Sequence, residues 1–436
     1  MILLADTITP RLRYMAAFAG TALCGEPVRL TTDPEEYRQY PQARINYSNS
    51  RSGITEIYIR PVSLLFETGI REQEIRCVRP NGYPVFFTTE ADTGFDFFAA
   101  SFYLLSRYEE YNRQERDTYG RFPHTASLAW REGFLHQPLI HYWLRDLAVL
   151  LKEKFPGRQL TEPAFRFLPT YDVDEAFCYR HKGWVRSAGG LLRDLLQGKT
   201  GRVRERMAVL LGREADPFAS FDRMESLHQD YSLSPVYFFH VGSRNGRYDK
   251  QVLPAKPAMQ ELIRSVSSRY KTGLHPSWQS GDESHLPEAE KKQLSLITGK
   301  EITASRQHFI RFLLPDTFRQ LINTGIREDY SMGYGSINGF RASVSMPFYW
   351  YDLERETATD LLLFPFCFMD ANCFYEQGLS PIQAGEEMRR YYREVKETGG
   401  LLITIWHNTF LGTDPRFRGW KDVYAFLLEE ISQGER

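Results

Sequence analysis

The stretch Phe165 to Asp174, FRFLPTYDVD, decides how this chain is read. A short apolar run ends there in Thr170-Tyr171-Asp172-Val173-Asp174. Side chains alternate along an extended chain, so Asp172 and Asp174 point to the same side. Two carboxylates held that close repel each other unless a cation or a shared proton lies between them. Capping or surface acids are the bland alternative, and the apolar run before them argues against it.

Working outward, similar runs follow at Val236 to His240, Gly273 to His275, Ile302 to Arg306, Leu361 to Phe366 and Leu401 to Trp406. Between them lie segments with apolar residues at helical spacing: Ala258–Ser268, Glu288–Ile297, Pro315–Asn323, Pro381–Thr398 and Gly419–Ser432. Apolar strands alternating with amphipathic helices predict an α/β fold with parallel strands. About seven such units suit a distorted (β/α)7 barrel, in which chemistry sits at the C-terminal ends of the strands.

The breaker cluster Phe155-Pro156-Gly157-Arg158 divides the chain into an N-terminal α/β domain, residues 1–160, and the barrel, residues 161–436. Within the first, Glu56 to Ile59 and Gly82 to Thr88 read as strands, and Asp96 to Tyr111 and Gln137 to Lys154 as helices. Arg107, Glu109 and Glu110 end a helix and read as surface charges. Residues 184–216 are basic and amphipathic and read as an insertion with a solvated face.

The predicted strand ends carry a consistent set of side chains. His275 ends a short run before Pro276 and is placed as a metal ligand. Arg306 and His308 are two apart and can face one site. His407 ends the run LLITIW, and His240 ends VYFFH as a site-lining residue. Each signal alone is weak, since a lone histidine is more often a hydrogen-bonded core residue. The remaining histidines, such as His124, His136, His141, His181 and His228, do not end such runs.

Composition narrows the class. Of 436 residues, 54 are Lys or Arg and 55 are Asp or Glu, so there is no basic excess of the kind that coats nucleic acid. Five cysteines without a CxxC pair argue against a disulfide framework or a zinc knuckle. The opening residues lack a charged n-region and a long apolar h-region, and no run approaches a membrane span, which together predict a cytoplasmic protein. Aromatic residues, at 14%, suit sugar rings and cores alike.

The order and spacing of these motifs resemble the polysaccharide deacetylase family, the carbohydrate esterases that share the NodB homology domain. The resemblance covers roughly residues 160–436 and rests on TYDVD (170–174), GLHPSWQS (273–280), SRQHF (305–309) and TIWHN (404–408). Segments 329–342 and 361–370, and FDFFAASFYLLSRYEEY before the barrel, look like a bacterial branch with an extra N-terminal domain.

The resemblance implies Asp172 as general base, Asp174 and His275 as metal ligands, Arg306 as the group orienting the base and His407 as general acid. It departs at Gln279, where the family often has a second histidine. Either His308, Gln279 or water then completes the ligand set, or the metal has been lost; His308 is preferred, because it restores an Asp-His-His set. The implied cofactor is one divalent metal ion, zinc first, with nickel, cobalt or iron suited to the same donors. Trp278, close to His275, is assigned to substrate contact. Arg341, in GFRA, is assigned to a substrate anion, with a structural salt bridge as its alternative.

The function expected is metal-dependent removal of N-acetyl groups from an amino-sugar glycan or its precursor. The partners are a carbohydrate substrate, no nucleic acid and no membrane span. Two rivals are hydrolysis of another non-peptide C–N bond on the same barrel, and a non-catalytic carbohydrate-binding protein that has lost the metal.

Overall fold

The computed structural model describes residues 1–112 and 115–434. Two sheets are present. The first is built from β1 (Ile2–Ala5), β2 (Arg29–Thr31), β3 (Arg44–Tyr47) and β4 (Ile57–Tyr58). They run parallel in the order β2-β1-β3-β4. The second begins with β5 (Phe165–Val173), β6 (Val236–His240), β7 (Lys271–His275), β8 (Ala304–Ser305) and β9 (Glu328–Asp329). It is completed by β10 (Phe348–Asp352), β11 (Thr357–Leu363), β12 (Phe368–Met369) and β13 (Gly400–His407). Its order is β10-β11-β9-β8-β7-β6-β5-β13-β12, and only the β10–β11 pair is antiparallel. Among the described residues no helix is long and apolar enough to cross a membrane.

In place of the expected distorted (β/α)7 barrel there is a curled, open sheet: the edge strands β10 and β12 are not paired with each other. After β11 the chain runs through Pro365, which has no N–H to extend a ladder. Irregular backbone spans the gap instead, with the Gly339 N–H donating to the Cys367 carbonyl. The sheet still curls strongly. β8 lies three strands from β5, about 14 Å away in a flat sheet. Yet Arg306, just past β8, reaches Asp172 on β5 at 2.8 Å.

Both faces of this sheet are buried, as the near-continuous apolar strands require. On the outer face Tyr171, Val173, Phe239, Leu274, Leu402 and Trp406 pack under helices such as Pro381–Thr398 and Trp420–Gly434. On the inner face Val236, Phe238, Ala304, Ile403 and Ile405 belong to one hydrophobic core with residues of the N-terminal sheet and its helices. Tyr14 and Phe102, for example, both pack on Tyr351, each with ring centroids 5.1 Å apart.

The long helix expected over 96–111 is two helices, Phe97–Leu105 and Tyr108–Asn112, broken at Arg107, whose φ is +55°. The charges there are not on the surface. Arg107 is 1% exposed, and Glu109 and Glu110 are 4% and 6% exposed. Arg107 Nε donates to Glu110 at 2.7 Å, and Arg341 Nε donates to the same carboxylate at 2.8 Å. Gly82 to Thr88 forms isolated bridges, Val78 with Val85 and Thr88 with Phe95, rather than a strand.

Candidate metal and acid–base site

The curl brings the C-terminal ends of β5, β7, β8 and β13 to one cleft. β13 pairs with β5 in a register that sets His407 opposite Asp172. β6 pairs with β7 so that His240 lies opposite His275. Alternation then separates the roles along β5: Tyr171 and Val173 enter the outer core, while Asp172 and Asp174 face the cleft.

Asp174, His275 and His308 converge. His275 Nε2 lies 3.1 Å from Asp174 Oδ1, and His308 Nε2 lies 3.5 Å from Asp174 Oδ2. Their donor atoms all fall within 4.8 Å of one another. Metal–nitrogen and metal–oxygen bonds of about 2.0–2.2 Å in a tetrahedral site put neighbouring ligand atoms roughly 3.3 Å apart. The two distances from Asp174 fit that requirement.

Two further observations agree with a cation. Asp174 Oδ1 is buried without a hydrogen bond. Both imidazoles are also held by their other nitrogen. His275 Nδ1 lies 2.6 Å from the Arg306 carbonyl, and His308 Nδ1 lies 3.0 Å from Asp249 Oδ1. A carbonyl accepts only, so His275 carries its proton on Nδ1 and turns the Nε2 lone pair to the cleft. Burial would raise the Asp174 carboxyl, but His308 and His275 outweigh it and hold the group well below the usual carboxylate range. His308 is lowered by burial but pushed up overall to about 9 by Asp174 and Asp249.

Gln279 does not join this set. Beyond Ser277 the chain turns into a short 3-10 helix, Trp278–Gly281, and the Gln279 side chain lies over Gly246, where an added Cβ would meet its Nε2 at 2.7 Å. The backbone after His308 is strained, with φ of +58° at Phe309 and +54° at Ile310. Such geometry costs about 1–3 kcal/mol for each residue and gathers at functional sites. The Phe309 carbonyl accepts from Arg121 Nη1 at 2.9 Å, so the N-terminal region helps to fix this turn.

Arg306, fully buried, donates through Nη1 to Asp172 Oδ1 at 2.8 Å and through Nε to the Tyr330 carbonyl at 3.0 Å. Asp172 Oδ2 is 3.9 Å from His275 Nε2. On the other side His407 Nε2 is 3.6 Å from Asp174 Oδ2. His407 Nδ1 meets Asp370 Oδ1 at 2.6 Å, and the His407 N–H donates to Asp370 Oδ2 at 2.7 Å. Burial lowers His407, yet Asp370, with Asp174 and Asp172, pushes it up to about 10.

Asp249, a candidate cleft-lining acid that the sequence gives no way to rank above surface acids, and Asp370, which it does not single out, hold the imidazoles of His308 and His407. Asp249 comes from the loop after β6 and also meets His240 Nε2 at 2.9 Å. Asp370 follows β12, at the end of the family-like segment 361–370. A histidine ending an apolar strand asks for such a partner, but spacing alone does not say which acid supplies it.

The cleft is a cavity of about 430 Å³. Tyr119, Tyr248 and Phe309 form an aromatic wall, and Tyr375 and Phe410 line it too. Tyr119 belongs to the N-terminal region. Trp278 is not part of this surface. Its ring lies behind Tyr248 at 4.0 Å, with the Arg311 guanidinium over it at 4.4 Å. Arg341 is also absent from the cleft: it is 1% exposed, paired with Glu110 and lying over the Phe312 ring at 4.1 Å. The anion it was expected to meet is a carboxylate of its own chain.

Residues 1–156 match the model of a family of unknown function, DUF7033. No curated protein matches the chain. Among solved structures, the chain is similar to a putative polysaccharide deacetylase from Mycobacterium smegmatis, with 14% identity and a TM-score of 0.39 over 63% of this chain and 87% of that one. It is also similar to the polysaccharide deacetylase Bc1974 from Bacillus cereus, with 9% identity and a TM-score of 0.31 over 63% and 89%. Likeness at that level carries no weight for the chemistry, and the geometry of the site carries it instead.

Proposed function

We propose that the protein is a metal-dependent hydrolase that removes N-acetyl groups from an amino sugar. The observation that carries this reading is one constellation: an Asp-His-His donor set flanked by an Arg-held carboxylate and an Asp-held imidazole. Asp174, His275 and His308 would hold a divalent ion, zinc first, which would supply Lewis acidity to an amide carbonyl and to water.

The chain's own groups do the rest. Arg306 holds and aims the Asp172 carboxylate, so that its free oxygen can take a proton from water. An amide nitrogen leaves only when protonated, and His407 is the donor. Asp370 holds the imidazole through Nδ1, which leaves the Nε2 proton facing the cleft. Tyr119, Tyr248 and Phe309 offer ring faces against which a sugar can lie.

The test is elemental analysis of protein purified without chelators or a histidine tag, for wild type and His308→Ala, followed by acetate release from acetylated amino sugars. Near-stoichiometric zinc, nickel, cobalt or iron in the wild type is expected, with loss in the variant. Equal metal in both would remove His308 from the set. No metal in either, even after soaking with divalent ions, would sink the hydrolase. Asp249→Asn is expected to weaken metal binding about 10–100-fold, as the loss of a group behind a ligand histidine does.

A second expectation concerns pH. A general acid works while protonated, so activity is kept below the pKa of His407 and lost as pH rises through it. Asp370→Asn removes the charge that raises this pKa. The alkaline limb of kcat/KM then moves to lower pH, and at a fixed alkaline pH the activity falls about tenfold for every pH unit the limb has moved. A bound cation lowers the pKa in both proteins and leaves the direction unchanged. An alkaline limb that stays in place in the variant would take the acid's role away from His407.

A further inference from the structure

A second cavity, of about 490 Å³, opens beside the cleft. Glu175, Phe218, Lys250 and Arg416 line both, so the two are adjacent. The second is lined by Lys182, Arg186, Arg193, Arg202 and Arg206 in addition to Lys250 and Arg416, against one acid, Glu175. Lys182 pairs with Glu175 at 2.8 Å, and Arg416 with Asp414 at 2.8 Å. Arg186 meets only the Gln251 and Lys250 carbonyls, each at 3.1 Å. Among the described residues, Arg186, Arg193, Arg202 and Lys250 have no carboxylate within ion-pair distance.

The centre of this cavity is built rather than incidental. Arg206 is 6% exposed, lies over the Tyr179 ring at 4.6 Å and binds Asp194 at 2.7 Å. Its Nε is buried without a hydrogen-bond partner. Gly190 makes room for it, since a Cβ there would lie 2.7 Å from Arg206 Nη1.

The roof of the cavity is a helical hairpin, Trp184–Leu196 and Thr200–Leu210. It is amphipathic the wrong way round for a soluble helix. Arg186 and Arg193 line the cavity and flank the stripe of Val185, Leu192, Leu195 and Leu196, while Asp194 lies away from that stripe. Asp194 is buried, Arg186 and Arg193 are exposed, and the apolar stripe is turned out. Trp184 is 82% exposed and Leu196 is 80% exposed. Eight of the seventeen exposed large apolar side chains among the described residues fall between 184 and 211. An apolar patch of this kind marks an interaction surface. Basic side chains beside outward apolar ones suit an anionic lipid surface.

We propose that the cationic cavity is a subsite for a phosphate or diphosphate ester carried by the substrate, with the hairpin's outer face seated in the membrane that holds it. The inference rests on the deacetylase reading and narrows it: the amino sugar is an anionic, lipid-carried precursor rather than a neutral polymer. The guanidiniums of Arg186, Arg193 and Arg202, which have no carboxylate partner among the described residues, offer phosphate oxygens forked donors. Adjacency to the cleft suits a substrate whose sugar lies next to Asp174 while its ester sits beside Arg206.

The first experiment is calorimetric titration of the holoenzyme with inorganic pyrophosphate at fixed ionic strength. Wild type is expected to bind, Arg193→Gln/Arg202→Gln to bind at least about tenfold more weakly, and Arg193→Lys/Arg202→Lys to recover part of the loss. No binding, or equal binding by the Gln variant, overturns the subsite; pyrophosphate held only by the bound metal would give that second result. The second experiment is co-sedimentation with phosphatidylglycerol vesicles. Wild type is expected to sediment and Leu192→Glu/Leu196→Glu to stay in solution. Wild type that ignores the vesicles overturns the lipid source and leaves a soluble nucleotide ester as the ligand. Pyrophosphate binding is read without turnover. Its absence beside intact hydrolysis of a neutral acetylated oligomer therefore sinks the subsite alone. Binding without hydrolysis of any acetylated amino sugar sinks the deacetylase reading instead.

Discussion

Replacing Asp172 by Asn is expected to lower kcat by about 10²–10⁴-fold, the usual contribution of a positioned base. Asn keeps the size of the side chain and loses the basic oxygen. KM for the acetylated sugar should change little, because the aromatic wall and the donor set are untouched. Metal content should also stay near the wild-type level, since Asp172 is not one of the three converging donors. The variant is not free of structural cost. Arg306 is fully buried and already has one Nη2 without a partner. Weakening its bond to residue 172 should cost about 1–3 kcal/mol of stability. A Tm several degrees lower, with full metal and kcat reduced by that factor, is the expected signature. Turnover within about threefold of wild type would remove Asp172 from the base's role, because that leaves nothing of the ~10²-fold minimum such a group contributes.

Glu110→Ala is expected to be the most damaging change to the fold. Glu110 accepts from Arg107 and from Arg341, and all three side chains are at most 4% exposed. Burial would raise the Glu110 carboxyl, but the two guanidiniums outweigh it and hold the pKa below the ordinary value. Removing the carboxylate leaves two buried cations, one of them still beside Glu109. Breaking a buried pair this way costs about 3–5 kcal/mol, a large part of the ~5–15 kcal/mol that holds a typical domain. Urea unfolding should show the midpoint fall accordingly. The double variant Glu110→Gln/Arg341→Gln should lose less than the two single changes summed, because it removes a cation along with the anion. Strict additivity would mean that the pair is not coupled.

The parts of the fold that were legible in the sequence share one property: an apolar run ends in a chemical side chain. β5, β6, β7 and β13 all do so, and their ends supply Asp172, His275 and His407. What was illegible has equally specific causes. β8, β9 and β12 have two residues each, too short to show a period, so neither the order of the sheet nor its open edge could be read. Asp249 sits in irregular backbone, where nothing in the spacing ties it to His308, 59 residues away. Arg107 and Glu110 look like a charged helix end, and only the 231 residues between Glu110 and Arg341 close the pair. Trp278 was placed by nearness in sequence to His275, but the turn after Ser277 swings its ring behind Tyr248.

The pairing of β5 with β13 has a consequence for biosynthesis. Thr170 on β5 and Thr404 on β13 are hydrogen-bonded neighbours 234 residues apart in the chain. Closing so long a loop is slow and is rewarded only when the distant strand arrives. On the ribosome, Asp172 therefore waits without this neighbour until late in translation, and the groups proposed as proton acceptor and donor meet only when β13 emerges. A nascent chain stalled before Leu401 should carry the three proposed metal donors and Asp172 but not His407, and so lack activity, with the inner face of β5 open to chaperones.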